Sequence, residues 1–570
     1  QTCALPIYKG KLELTWVGKY DDKVIEPRIL MEDREKSYGD PRSENMLIHG
    51  DNLVALQALQ QDFYGSIKCI YIDPPYNTGS AFEHYDDNLE HSIWLNLMRK
   101  RLVLLRELLS EEGTIWIQID DEEQAYLKVL CDEVFGRGNF VNMISVNMKN
   151  IAGASGGGED KRLKKNCEYI LIYAKDYTLL PLFNGPYVYT EMSELIQQYL
   201  DEGKSWKYTS VLVNPGKKEY IGSTADGVGN EIKVYRRVGV QTMSVNQLAK
   251  KEGLTTKDAY RKHGINVFRT TNAQTSIRTR IIDYRRENDI HDQYLSIEYT
   301  PRTGKNKGTV YEQFYKDDGC NLFVWLRDTS EIIDGELYKK DLQGTYWDMN
   351  AWMKNLTKEG SVEFGNGKKP EQLIRQIFEM TTKPGDWVLD SFLGSGTTAA
   401  VATKMARKWV GIELGDHAYT HCKVRLDRVV NGEDAGGITK AVNWEGGSGY
   451  HFYELAPSLL IKNERLPIYQ INPEYTFDML CEAICKIEGF KYKPDGVYHG
   501  YSSENRFIHI TKEFVNGEYI RSIATTLGEN QSLLIYSTKV QSDLRLLDNI
   551  EVKRIPKDLL DKCTFESEVR

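Results

Sequence analysis

Two short stretches of this sequence combine residue types that chemistry uses. The first is Asp73-Pro74-Pro75-Tyr76-Asn77-Thr78-Gly79, which ends an apolar run. The second is Asp390-Ser391-Phe392-Leu393-Gly394-Ser395-Gly396-Thr397-Thr398, with Glu413 following 23 residues after Asp390. An aromatic amine is a poor nucleophile because its lone pair is delocalised into the ring. Asp73 could accept one amino hydrogen, and the Pro74 carbonyl, held by the rigid Pro74-Pro75 pair, could accept the other. The nitrogen lone pair would then face an incoming group. Tyr76 could stack on the ring. Such catalysis works by positioning and electrostatics, with no metal and no covalent enzyme intermediate. A bland Asp-Pro-Pro turn would also end a strand, but it would not account for a carboxylate, a diproline and an aromatic delivered together.

In the second stretch Gly394 and Gly396 allow a tight turn and close backbone approach to a ligand. The helix that follows presents its N-terminus to a negative group. Glu413, at the end of the next strand, is spaced to accept two ribose hydroxyls. Turn, helix, strand and terminal acid together point to a nucleoside-type cofactor, where the glycines alone would be a helix-entry loop. No Gly-Lys-Ser/Thr ending is present, which disfavours a nucleoside triphosphate. Position 399 is Ala where a dinucleotide fingerprint has a third glycine, and since variants accept Ala the glycines leave NAD open.

These residues need a frame. Asn45 to Asp51 reads as a short strand and turn, Leu53 to Leu59 as a helix capped by Asp51 or Asn52. Ser66 to Ile72 reads as a buried strand stopped by the prolines. Trp94 to Leu109, Thr114 to Ile119, Glu122 to Phe135 and Tyr169 to Tyr173 then alternate helix, strand, helix, strand. The alternation returns with a helix over Glu371 to Met380, a strand over Trp387 to Asp390, a helix over Thr397 to Ala406 and a strand over Trp409 to Glu413. The implied fold class is α/β, a doubly wound and mostly parallel sheet. Residues 1–43 read as an extension, 44–180 as a catalytic half, 181–330 as an insert, 331–430 as a cofactor half, and 431–570 as a separate C-terminal α+β module.

The two chemical stretches and their order resemble a known family. The chain is similar to the amino-methyltransferases of DNA in their permuted beta arrangement, Rossmann-like and circularly permuted. There the Asp-Pro-Pro-Tyr half comes first, a target-recognition insert follows, and the methionine-binding half comes last. The large insert and the added C-terminal module resemble the modification (Mod) subunit of type III restriction–modification systems. The resemblance covers roughly residues 44–430. It implies adenine-N6 methylation with S-adenosyl-L-methionine as cofactor, and adenine over cytosine N4 rests on it alone. The alternatives are the same chemistry on RNA or on a protein glutamine, for which Asn at position 73 would have been expected, an orphan DNA methyltransferase, and a DNA-recognition subunit whose catalysis has lapsed, which the intact residues 73–76 and 390–396 disfavour. It also implies flipping of the target base from the duplex, at a cost of a few kcal/mol. Asp73, Pro74, Pro75 and Tyr76 match the catalytic motif. Asp390, Phe392, Gly394, Gly396 and Thr397 match the cofactor loop, and Glu413 the ribose-binding acid. Asp51 matches the acid that meets the cofactor's adenine, with a helix cap as its plain alternative. Lys369 matches the segment at the cofactor's methionine end, where it could pair with the carboxylate; a solvated lysine is the alternative. The implied partners are double-stranded DNA, a second copy in a homodimer and a helicase–nuclease restriction subunit. The implied place is a bacterial or archaeal cytoplasm, in association with the nucleoid.

Composition limits other classes. Hydrophobic residues make up 41% and charged residues 27% of the 570, an ordinary globular balance. No apolar run of about 18 residues marks a membrane span. The N-terminus lacks both Met and a secretory pattern, and no function is assigned there. The nine cysteines form no CxxC pair and suggest buried thiols in a reducing compartment, not zinc. The net charge is −9, yet residues 229–307 carry 16 Lys and Arg against 8 Asp and Glu. Charge acts locally, so this surplus marks a candidate DNA footprint. Its candidate phosphate contacts are Arg236, Arg237, Arg261, Lys262, Arg278 and Arg280, with Lys161, Arg162, Lys164 and Lys165 after a glycine-rich loop. Apolar spacing over Ser244 to Lys262 hints at a helix-turn-helix piece.

Overall fold

A computed structural model describes residues 14–20, 24–77, 90–148, 165–184, 187–302, 307–354, 356–362, 364, 367–463 and 465–565. The Thr78-Gly79 pair and Lys161, Arg162 and Lys164 lie outside the described residues. The backbone divides into two compact units, one of residues 1–184 with 344–570 and one of residues 185–343.

The first unit is built on a ten-stranded sheet. In chain order its strands are β1 (Leu30–Gly39), β2 (Met46–His49), β3 (Ile67–Ile72), β4 (Leu109–Ile119), β5 (Phe140–Asn147), β6 (Cys167–Ala174), β7 (Tyr346–Asp348), β8 (Trp387–Asp390), β9 (Lys408–Glu413) and β10 (Gly449–Leu455). They lie side by side as β1-β10-β2-β9-β8-β3-β4-β6-β5-β7. The six from β10 to β4 run parallel. β1 and β6 run antiparallel to their neighbours, so the sheet is mixed at both flanks. Two strands come from outside the 44–430 stretch: β1 from the N-terminal extension and β10 from beyond residue 430.

Each strand of the parallel core is buried on both faces, which is why β3 reads as an unbroken apolar run. Its side chains alternate between two cores, as the two-residue period of a strand demands. Cys69 and Tyr71 pack with Leu373, Ile374 and Ile377 of one helix and Ala399 and Ala400 of another. Ile70 and Ile72 pack on the opposite face with Leu56, Leu59, Trp94 and Leu102. The covering helices are α1 (Asn52–Phe63), α2 (His91–Leu108), α3 (Gln124–Cys131), α4 (Glu371–Thr381) and α5 (Thr397–Lys404). This is the doubly wound α/β architecture.

The decisive feature is the neighbour of β3. It pairs with β8, in the register Cys69↔Val388 and Ile70↔Leu389. From β3 the chain moves one way, to β4; from β8 it moves the other way, to β9. The carboxyl ends of β3 and β8 therefore flank the switch point, where open α/β sheets open a ligand crevice.

The second unit carries an eight-stranded sheet, with a three-stranded sheet beside it in the same unit. Two helices, Val245–Glu252 and Thr256–His263, are joined across Gly253 in the left-handed conformation (φ 69°). Ser244 and Gln247 form a capping box on the first, and Thr255 caps the second. Val245, Leu248, Ala249, Ala259 and Tyr260 share a buried cluster, so a helix-turn-helix is present here. The first unit also carries a five-stranded sheet over residues 491–554, which runs in chain order, its first three strands antiparallel and its last three parallel.

Candidate active site

The strand β3 delivers Asp73 at its carboxyl end, and Pro74-Pro75 then stops strand pairing because proline has no N–H to offer. The indole N–H of Trp94 on α2 donates to the Pro75 carbonyl (2.8 Å), which fixes the diproline against the helix. Asn77 is in the left-handed region (φ 60°) and its amide donates to Glu123 (2.8 Å).

The Asp73 carboxylate has two close partners. The Tyr76 hydroxyl lies 2.7 Å from its Oδ1, and the Lys369 ammonium 3.0 Å from its Oδ2. Glu168, from the start of β6, reaches the same two groups, at 2.9 Å from the Tyr76 hydroxyl and 3.3 Å from Lys369 Nζ. The Gln118 amide on β4 donates to Glu168 (2.5 Å), and its own carbonyl accepts from Tyr71. Lys369 also sits over the Tyr76 ring, 5.0 Å from its centre. Burial pushes the Asp73 carboxyl up, opposed by Lys369 and reinforced by the negative Glu168. Lys369, against two carboxylates, is held above its ordinary value despite its burial.

Next door, β8 ends at Asp390. Its Oδ1 accepts from the Phe392 amide (2.9 Å) and its Oδ2 from the Thr398 hydroxyl (2.6 Å). The side chain thus closes the loop on itself. Burial raises its pKa to about 7. Gly394 and Gly396 have φ of 56° and 78°, a region that disfavours side chains. A Cβ on Gly396 would also come within 3.2 Å of Cys422 Cα. Glu413, ending β9, accepts from the Gly394 amide (2.7 Å) and the Gly415 amide (3.0 Å). Phe392 is buried within the core on the α1–α2 side.

Beneath the loop lies a fully buried ion cluster. Lys404 contacts Glu371 (2.8 Å) and Asp434 (2.6 Å), and Arg425 contacts Glu371 (2.8 Å). Arg425 also donates to the Thr397 hydroxyl (2.8 Å), so the cluster holds the loop from below.

Lys369 joins the two halves. Its carbonyl accepts from Thr397 (3.3 Å) while its ammonium contacts Asp73. In this structure its charge is thus committed to Asp73 and Glu168 and not to the loop. Asp51 caps α1 through the amides of Leu53 and Val54, and its second oxygen meets Arg101 at 3.2 Å. Asn52 beside it donates to the Ser391 carbonyl (2.7 Å). Sequence reasoning passed over Glu168, Gln118 and Trp94 as site residues, and read Asn52 only as a possible helix cap. Gln118 left one trace, a polar residue inside an apolar strand, which burial makes costly unless it is partnered.

The basic candidates separate by exposure. Arg278 is buried and donates to the Gly319 and Cys320 carbonyls. The Arg237 side chain is 7% exposed and pairs with Glu312. Both are structural, a correction to their place among the phosphate contacts: burial in the second unit's own cores claims them. Arg236 pairs with Asp292 (2.9 Å), Arg261 with Glu336 (3.5 Å) and Lys262 with Glu252 (2.9 Å), all on the surface. Lys165 binds Asp120 (2.7 Å) and Asp121. Arg280 is exposed, with no ion pair among the described residues. Among the described residues no three His, Cys, Asp or Glu side chains gather as a metal site.

A family model described as DNA methylase (N6_N4_Mtase) matches residues 67–423, a span that begins at β3 and includes both loops. The chain belongs to that family. It is 44% identical over 427 residues to the "Probable type III restriction-modification enzyme HindVI Mod subunit" of Haemophilus influenzae, covering 74% of this chain and 55% of that one. It is 27% identical over 458 residues to the EcoPI Mod subunit of Escherichia phage P1, covering 70% and 62%. With the type II methyltransferase M.KpnI of Klebsiella pneumoniae it shares 36% over 389 residues, covering 62% and 75%. The chain thus spans 55% and 62% of the length of these two Mod subunits. Among solved structures it is similar to the cytosine-N4-specific PvuII DNA methyltransferase, at 12% identity over 74% of this chain and 94% of that one, with a TM-score of 0.31. The fold assignment rests on the strand order, not on that likeness.

Proposed function

We propose that this chain transfers the methyl group of S-adenosyl-L-methionine to N6 of an adenine flipped out of double-stranded DNA, as the modification and recognition subunit of a type III restriction–modification system. The observation that carries the reading is the pairing of β3 with β8, which brings Asp73 and the Asp390–Thr398 loop to one crevice with Lys369 spanning them.

The loop suits a nucleoside cofactor. The Ser391 hydroxyl is buried with no hydrogen-bond partner among the described residues, so a polar ligand group would satisfy it. Space beside Gly394 is bounded by Phe364, 3.8 Å from where a Cβ would sit. Glu413 would exchange its bonds to Gly394 and Gly415 for ribose hydroxyls, and Asp51 lies at the β2 end for the adenine side. When bound, the cofactor supplies an electrophilic sulfonium methyl. The chain does the rest. Asp73 and the Pro74 carbonyl accept the two amine hydrogens, which turns the nitrogen lone pair out of the ring's conjugation. Tyr76 offers its ring as a stacking face. The alkylated amine must shed a proton, and Asp73, its affinity for protons raised by burial, is placed to receive it.

On the DNA side, the helix-turn-helix and its exposed Lys250, Lys251, Arg261 and Lys262 form the proposed contact, with Arg236, Arg280 and Lys165 as further phosphate partners. The proposed partners are a second copy of the chain and a restriction subunit, and the proposed place is the bacterial or archaeal cytoplasm at the nucleoid. Among the described residues no helix is long and apolar enough to cross a membrane.

Purified protein incubated with unmethylated genomic DNA and S-adenosyl-L-methionine should leave N6-methyladenine at one short sequence context. N4-methylcytosine instead, or no mark despite cofactor binding, would overturn the adenine reading.

A further inference from the structure

Asp73 shares its partners with a second carboxylate. Both Asp73 oxygens are engaged, Oδ1 with the Tyr76 hydroxyl and Oδ2 with Lys369. Each oxygen keeps a second lone pair, but a base amine that bonds Asp73 there crowds these donors and weakens the bonds they already make. Releasing either into a largely buried pocket is costly unless another acceptor takes it, since an unpaired buried hydroxyl or cation forfeits its solvation. Such an acceptor stands in place. Glu168 Oε2 lies 2.9 Å from the Tyr76 hydroxyl and 3.3 Å from Lys369 Nζ. Tyr76 has one O–H and two carboxylates in reach, so it donates to one at a time.

We propose that Glu168 is a positioning residue, which takes over the Tyr76 hydroxyl and the Lys369 ammonium when Asp73 engages the amine of the target base. The inference rests on the reading of Asp73 given above and extends it to a residue outside the Asp-Pro-Pro-Tyr motif. Glu168 is built for a fixed post. Gln118 donates to it from the neighbouring strand at 2.5 Å. The Gln118 carbonyl accepts from the buried Tyr71 hydroxyl, so its amide can present only N–H to Glu168. β4 and β6 are paired along this stretch, which sets the two side chains on a rigid sheet. Tyr76, anchored through its hydroxyl to either carboxylate, keeps its ring in one orientation during the exchange. Lys369 keeps a negative partner throughout, so its charge does not hold Asp73 away from the base.

The arrangement has a pH signature. The groups facing Asp73 are Tyr71 and Tyr76 from β3 and its end, Glu168 from β6, Lys369 ahead of α4 and Asp390 from β8. Asp73 can take up the proton that the alkylated amine sheds only when it is ionised. Glu168's charge raises the Asp73 pKa and Lys369's lowers it. Removing the Glu168 charge therefore moves the acid limb of kcat/KM to lower pH.

The test uses the full chain with radiolabelled S-adenosyl-L-methionine and unmethylated genomic DNA. Glu168→Gln should lower kcat by about 100-fold through misplacement of Asp73's partners. KM for DNA and the calorimetric Kd for the cofactor should stay within about twofold. The acid limb should shift down, and Glu168→Asp should recover part of the rate. Gln118→Met, which loosens Glu168 without removing its charge, should lose less kcat and leave the limb unmoved. Wild-type kcat and an unmoved limb in Glu168→Gln would overturn the inference. Should that variant fail to fold, wild-type kcat in Gln118→Met would do the same. A wild-type chain that methylates no DNA would overturn the reading of Asp73 as well, whereas an active wild type with an indifferent Glu168→Gln defeats this inference alone.

Discussion

The two loops that meet at the switch point are held in opposite ways. Around Asp390 every charged group has its partners within the loop or directly beneath it: Asp390 with Phe392 and Thr398, Glu413 with Gly394 and Gly415, and Arg425 with Thr397 and Glu371. Around Asp73 two carboxylates contend for one hydroxyl and one ammonium. In the first arrangement only Glu413 has bonds to give up to a ligand, those to two backbone amides, while the rest is preorganised; in the second both carboxylates share side-chain donors that can change hands. A cofactor that enters the same way in each turnover suits a cradle that is closed but for one acid. A base amine, which must be gripped and then let go after it changes, suits acceptors with alternatives.

The largest effect that would break this contrast lies at Asp73. Asp73→Ala should lower methyl transfer by about 1000-fold or more, as for loss of a group that stabilises the transition state. Cofactor and DNA affinities should remain near wild type, measured by calorimetry and by filter binding. A comparable loss of cofactor binding would mean that the two loops are not separable.

The converse experiment strikes the cradle. Glu371→Gln removes one charge from the buried Lys404–Asp434–Arg425 cluster, whose side chains are 0% exposed. Breaking a buried pair from one side costs about 3–5 kcal/mol. Chemical unfolding should show that loss, with weaker cofactor binding because Arg425 no longer steadies Thr397. An unchanged midpoint would show that the cluster is not what holds the loop.

How far the sequence carried differs between the two loops for a physical reason. The cofactor loop is local: strand, glycine turn, helix and acid follow within Trp387 to Glu413, so periodicity and turn chemistry expose them. Asp73 to Tyr76 were equally legible. Their setting was not. Glu168 and Gln118 reach the site only through β4–β6 pairing, and Lys369 only through the return of the chain after the insert. No spacing rule ties these positions together. The pairing of β3 with β8 likewise follows from no local pattern. The ends of the sheet misled for a similar reason, since β1 and β10 come from stretches whose own composition marks them as an extension and a separate module. Arg278 and Arg237 read as surface charge because a sequence does not distinguish a basic residue that faces water from one that caps buried carbonyls or pairs with an acid inside the unit.

A gentler probe of the cradle is its pH response. Asp390 is raised to about 7 by burial, well above an unfolded carboxyl near 4. The folded state therefore binds this proton more tightly than the unfolded chain. Its contribution to stability is full below about pH 4 and is lost as pH rises through about 7. Asp390→Asn keeps two polar atoms for Phe392 and Thr398 but cannot ionise. Unfolding free energies measured from pH 4 to 8 should fall less steeply in the variant than in the wild type. Parallel curves would mean that Asp390 is ionised throughout and that the loop's bonds outweigh burial.

The smallest expected effect separates two neighbours on one helix of the second unit. Arg278 donates to the Gly319 and Cys320 carbonyls from inside the unit, while Arg280, two residues on, is exposed. The helical turn that buries one presents the other to solvent. Arg280→Ala should leave the unfolding midpoint unchanged and reduce the slope of log affinity for DNA against log salt by about 1 if it meets a phosphate. Arg278→Ala should do the reverse, lowering the midpoint with no change in the salt slope. A salt slope that responds to Arg278 and not to Arg280 would place the DNA against a different face of this helix, and would move the proposed contact surface with it.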